Sequence, residues 1–355
     1  MWSCKNTYRS TVKGRCSMAG IIELQRGFFK ENSSVIFRNN EFKVSLFQYP
    51  SGVEAVEVIN SRGKMVVLPF MGQIIWDLEF DDVNLKMKNM FSQPKKVNEI
   101  VDTYGCFSFH SGLLSNGCPG PEDTHPLHGE MACANMDQAW LEVTDLSVTV
   151  GGSYEYTKGF GSHYLAKPTV TMLAGESLIE IGMNVKNLSG AEMPLQYMCH
   201  TNYTYSHDAL LKQNIPDSAF SLRKSIPDHV KPTEKWLAFN EELLNNPNGT
   251  LKTLDRPDMY DPEIVFFADH LDQYTKEAEF EMVSPEGVTL FTKFSTDEFN
   301  FATRWLLYNE DQQVAAFVLP GTCRPEGFLA AKESGSLITL SSGEERSFKV
   351  VTGKK

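Results

Sequence analysis

Nowhere in the 355 residues do apolar side chains run on for the ~20 positions that a membrane-crossing helix needs, so no membrane partner is expected. The first twenty residues also lack the apolar core of a signal peptide, and a cytoplasmic protein is expected. Basic residues are in the minority, 33 against 45 acidic, and scattered. The net charge of −12 excludes a nucleic-acid partner, since phosphates call for clustered Lys and Arg. The cysteines, at positions 4, 16, 106, 118, 133, 199 and 323, form no C-x-x-C pair, which excludes a disulfide framework and a zinc site; free thiols are expected. His110, His125 and His128 fit no zinc spacing, and no metal is expected. There is no G-x-G-x-x-G, Walker loop or G-x-S-x-G elbow, so dinucleotide, nucleotide and α/β-hydrolase chemistry have no foothold.

What is present is short alternation broken by Gly, Asn, Asp and Pro. Phe42, Val44 and Leu46 alternate with Lys43 and Ser45, and a second run covers 53–59. Residues 64–80 read as two strands joined at Gly72, with Trp76 as sheet packing. Ile179, Ile181, Met183 and Val185 give a half-buried strand, and a turn then leads through Pro194 to His200. A hairpin is expected across Ser284–Gly287, with further strands at 301–308, 313–319, 336–341 and 346–351. A short helix is expected near 241–244. The strand-and-helix alternation of a parallel α/β protein is missing, so the class is all-β. Residues 1–20 are patternless and are expected to be an extension, with 21–355 one domain.

Two stretches concentrate chemistry. Tyr197–Tyr205 and Thr124–Glu130 each place a histidine beside amides, hydroxyls or rings, groups that hydrogen-bond and stack on a polyhydroxylated ligand. Residues 104–135 are rich in Gly, Pro, Cys and His without periodicity, and loops of that length are more often functional than idle.

The run Met183–Ser189 followed by Pro194–Tyr203 resembles the aldose 1-epimerase (galactose mutarotase) family, whose "V-x-N" strand end precedes a histidine-bearing strand. Leu127-His128-Gly129 is similar to the family's "L-H-G", Met259-Tyr260-Asp261 to its "G-Y-D", and Leu340–Glu344 to its "L-x-P-G-E" turn. The resemblance covers roughly residues 35–352. It implies an all-β, galactose mutarotase-like β-supersandwich holding a small-molecule sugar, and interconversion of α and β anomers by acid and base ring opening without a cofactor.

On this resemblance His200 and His128 are the catalytic histidines and Asp261 contacts sugar hydroxyls. The family's catalytic glutamate, however, falls on Leu319, which cannot take a proton. Glu326, in the same connection, is the nearest replacement, with Glu130 and Asp261 as others. Asn202, His125 and Gln73 are expected to bind substrate, and Arg304 to meet a phosphate or carboxylate on a modified sugar. The rival expectations are a carbohydrate-binding protein that kept the pocket and lost the base, and a lyase or hydrolase on a related sandwich.

Overall fold

Alternating stretches of the chain become strands of two large antiparallel sheets. The computed structural model describes residues 11–12, 15–16, 20–227, 230–245 and 250–355. The larger sheet runs from Phe220–Leu222 through Ile264–Asp269, Phe301–Tyr308, Gln313–Gly321, Met193–Thr201, Ser108–Leu113 and Ile74–Phe80 to an edge at Ser34–Arg38. The second sheet runs from Leu210–Gln213 to Gly20–Leu24, with Leu178–Asn187 and Glu345–Lys354 near its middle. The expected extension falls mostly outside the described residues. Thr11–Val12 pairs with Arg15–Cys16, and Gly20 already pairs with Val143 in the second sheet.

Alternate side chains from both sheets meet in one continuous core, among them Val44, Val58 and Leu78 from the first and Val150, Ile181 and Val350 from the second. A two-sheet sandwich buries one face of each strand this way, which is why the alternation was readable. The face of the larger sheet turned away from that core carries its own apolar patches, including Met198, Leu307 and Leu319.

Two features deviate from simple alternation. Within the stretch expected as loop, Ser108–Leu113 is a central strand with all six residues buried, between Met193–Thr201 and Ile74–Phe80. A strand covered on both faces has no polar side to alternate, so its pattern is silent. In Gln313–Gly321 the register against Phe301–Tyr308 shifts, with Thr303 opposite Leu319 and Trp305 opposite Ala316. Phe317 and Val318 therefore both face the core while Ala316 and Leu319 both face outward, as a β-bulge requires.

The helix is longer than expected, Glu234–Leu244. Thr233 caps it by accepting from the Trp236 backbone N–H at 3.2 Å, and Trp236, Phe239 and Leu243 form its buried stripe. The Trp236 indole donates to the Glu263 carbonyl at 2.7 Å, pinning the start of Ile264–Asp269. No described helix is long and apolar enough to cross a membrane.

Candidate functional site

The outward face of the larger sheet holds a cleft of about 460 Å³. Period-two geometry builds it: Met198 and His200 project from one strand, Thr303, Trp305 and Leu307 from another, and Glu263, Val265 and Phe267 from a third. Tyr104 and His128 close it from the segment before and after Ser108–Leu113.

His200 lies directly across the strand pair from Phe109, and the two rings stack with centroids 4.5 Å apart. Its ring centroid is 4.9 Å from that of His128, edge to face, and 5.8 Å from that of Trp305. The Tyr104 hydroxyl lies 3.2 Å from His200 Nε2. Burial, and the neighbouring His128, push the His200 imidazole well below its ordinary pKa; a hydrogen-bonding contact with Asn202 opposes this without reversing it. His200 is therefore neutral near pH 7. Burial also holds the Tyr104 phenol well above its usual range, reinforced by Cys106 and Glu263.

Ser111 orients the His128 ring. Ser111 donates its one hydroxyl proton to Asn116 Oδ1 at 2.5 Å, so its lone pairs face His128 Nδ1 at 3.0 Å. In that arrangement Nδ1 donates to the Ser111 oxygen, and Nε2 is the ring's second proton-exchange position. The His128 carbonyl also accepts from the Gly112 N–H at 3.0 Å, tying the backbone to the central strand. His128 itself sits at φ +63°, next to Gly129 at φ +76°, whose missing Cβ would lie 2.2 Å from the Ser115 carbonyl.

A carboxylate completes the site, and sequence reading missed it. Glu263 is 7% exposed, accepts from Arg223 Nη2 at 2.6 Å on one oxygen and from the Trp305 indole at 2.7 Å on the other, and lines the same cleft. Its signal was present: Asp261 closed the recognised motif, yet Glu263, Val265 and Phe267 continue the alternation on the cleft face. Leu319 lies on the same wall, facing the space the histidines share.

The other expected residues separate. Asp261 is on the rim, accepting from Asn309 at 3.3 Å. Asn202 is fully buried beneath His200, donating to the Cys106 carbonyl at 3.1 Å. The structure does not bring Glu326, His125, Gln73 or Arg304 to the cleft. Glu326 lines a separate hollow with Arg324 and accepts from Ser225 at 2.7 Å, because the chain turns away after Pro325. His125 folds back on the Pro126 carbonyl at 2.9 Å. Gln73 is buried at a turn and donates across the sandwich to the Val150 carbonyl at 3.1 Å. Arg304 alternates with Trp305 and so points inward, donating to the Phe317 and Leu251 carbonyls, Thr250 and Gln213. Glu130 supports the fold, accepting from the Leu113 and Leu114 amides and the Tyr164 hydroxyl. Among the described residues no cluster of His, Cys, Asp or Glu could hold a metal ion, and Cys106, Cys118, Cys133, Cys199 and Cys323 are free thiols.

Solved structures share this two-sheet frame along nearly its whole length. A Klebsiella pneumoniae protein provisionally assigned as an aldose 1-epimerase superposes with a TM-score of 0.74 at 12% identity, covering 95% of this chain and 91% of its own. A galactose mutarotase-like protein from Clostridium acetobutylicum gives 0.58 at 13% identity, over 89% of this chain and 99% of its own. An Escherichia coli K12 protein, also provisionally assigned as an aldose 1-epimerase, gives 0.55 at 17%, over 83% and 96%. The fold is thus the all-β, galactose mutarotase-like supersandwich. Residues 50–353 match the family described as a domain of unknown function, DUF4432, and the chain belongs to that family. No curated protein matches the sequence.

Proposed function

We propose that the protein is a sugar isomerase of the aldose 1-epimerase type, opening and reclosing a cyclic aldose by proton transfer. The observation that carries this is the meeting of His128 and His200, ring centroids 4.9 Å apart, in a cleft that also holds the buried carboxylate of Glu263. The cytoplasmic setting expected from the sequence is part of the proposal, as is independence from any cofactor.

The roles are assigned from the placement of the three groups in the cleft and from the neutral state of His200. His200, held neutral by its depressed pKa, neither carries a second proton to give nor readily takes one, so the acid role is assigned to His128 and His200 is left to hydrogen-bond the sugar. Protonated His128, with Nδ1–H held by Ser111, delivers the Nε2 proton to the ring oxygen. Glu263 takes the proton of the anomeric hydroxyl as the bond from C1 to the ring oxygen breaks. The open aldehyde rotates about C1–C2, and the same two protons return as the ring closes on the other face. Both groups end as they began. Asp261, at the rim, is placed to hydrogen-bond the remaining hydroxyls.

A second reading is supported by Leu319 on the cleft wall and by the engagement of both Glu263 oxygens: a carbohydrate-binding protein that no longer catalyses. Dissolving the pure α anomer of several aldoses and following optical rotation separates the two. The isomerase reading expects acceleration over buffer, reduced ~100-fold to 10,000-fold in His128→Ala or Glu263→Gln, the span typical of one acid or base. Sugar binding without acceleration favours the binder.

A further inference from the structure

The charge inventory of the cleft is narrow. Arg223 is the single Lys or Arg side chain on its described wall, and its Nη2 lies 2.6 Å from Glu263 with both side chains 9% exposed. Asp261 adds a second carboxylate on the rim. With the His128 proton committed to the ring oxygen, a phosphate or carboxylate on the ligand would have to draw Arg223 from a partner that would then be left charged and buried, while facing Asp261 as well. Arg304, the cation expected from the sequence to meet such a group, points into the sandwich.

Much of the remaining wall is apolar, interrupted by Thr303, Asn309 and Gln312. Met90 and Val101 stand 63% and 45% exposed at the mouth, beside Phe91 and Leu127, in a cavity larger than one pyranose ring fills. Large apolar side chains left open around a site with convergent polar groups mark the complementary part of a ligand.

Resting on the sugar-isomerase reading, we infer that the cleft takes an uncharged aldose carrying an apolar substituent away from its anomeric carbon, such as a deoxy or O-alkyl sugar. The anomeric hydroxyl must stay free, since ring opening begins there. The ring then meets His128, His200 and Glu263, and the substituent covers the wall of Met90, Phe91 and Val101.

Anomer exchange measured by NMR exchange spectroscopy tests this with D-galactose, 6-deoxygalactose, galactose 6-phosphate, and the matching glucose series with 3-O-methylglucose. The best deoxy or O-methyl sugar should exceed its parent in kcat/KM by about fourfold or more, the equivalent of one buried methyl group. The 6-phosphates should rank last. In Met90→Gln with Val101→Thr, both open to solvent and so compatible with folding, that advantage should shrink towards parity. Parity in the wild-type protein, or a preference for the phosphates, overturns the inference. Exchange of no sugar at all removes the isomerase reading instead. Dissociation constants for the same series then decide the inference: the same ranking supports it, and any other overturns it.

Discussion

Ser111 shows how one hydroxyl can set the chemistry of a neighbouring ring. It has one proton, and with Asn116 Oδ1 at 2.5 Å accepting it, the Nδ1–H tautomer of His128 is the favoured one. Ser111→Ala removes the acceptor for that proton. The variant should lose about fivefold to tenfold in kcat, the kinetic equivalent of one hydrogen bond of ~1 kcal/mol, with KM little changed. The ¹⁵N shifts of His128 should then report mixed tautomers where the wild type shows one. A single Nδ1–H tautomer persisting in Ser111→Ala would remove Ser111 from this role. None of this was readable in the sequence, because Ser111 and Asn116 lie in a stretch with no pattern and act through a partner up to 17 residues away.

Glu130 sits where three elements join. Its carboxylate accepts from the Leu113 and Leu114 amides at 3.0 and 2.9 Å and from the Tyr164 hydroxyl of the second sheet at 2.7 Å. Glu130→Ala strands all three donors at once and should cost ~2 to 4 kcal/mol in urea unfolding, whereas Glu130→Gln, which keeps an acceptor, should cost less than half as much. A loss under ~1 kcal/mol for the alanine variant would show that water replaces the carboxylate without penalty. The same junction explains what sequence reading could and could not reach. Strands with one buried face, such as Leu178–Asn187 and Glu277–Val283, announced themselves by alternation, and the His200 strand by the turn before it. Ser108–Leu113, buried on both faces, did not. Arg304 misled for a related reason: its neighbour Trp305 faces the cleft, and only the register decides that the arginine faces inward, over the Phe220 ring at 4.4 Å. Glu263 lay two positions beyond a recognised motif, at the start of the alternation that Val265 and Phe267 continue on the cleft face.

Acid sensitivity should belong to the folded chain as a whole, since its larger sheet buries a histidine on each face. His110 points into the core, its Nδ1 2.8 Å from the Tyr197 hydroxyl, and burial pushes its pKa down to about 3; His200, on the cleft side, is lowered in the same direction. In the unfolded chain both return to the ordinary value near 6.5. Above that pH neither state is protonated at these positions, and their contribution to stability is fully present. As pH falls below ~6.5 the unfolded chain binds protons that the folded chain refuses, so stability declines by roughly 1.4 kcal/mol per pH unit for each histidine. For His110 the decline continues until the folded pKa near 3 is passed. Carboxylates such as Asp81, held below the usual range by Arg62 and Lys354, steepen the fall at the acid end but do so equally in a histidine variant. Urea titrations from pH 7.5 to 4.5 on the wild type and on His110→Gln isolate the histidine: the variant, whatever its stability at neutral pH, should show a slope shallower by about one proton. Equal slopes would mean that His110 titrates in the folded protein as it does in the unfolded one, and that the core around Tyr197 admits the charge.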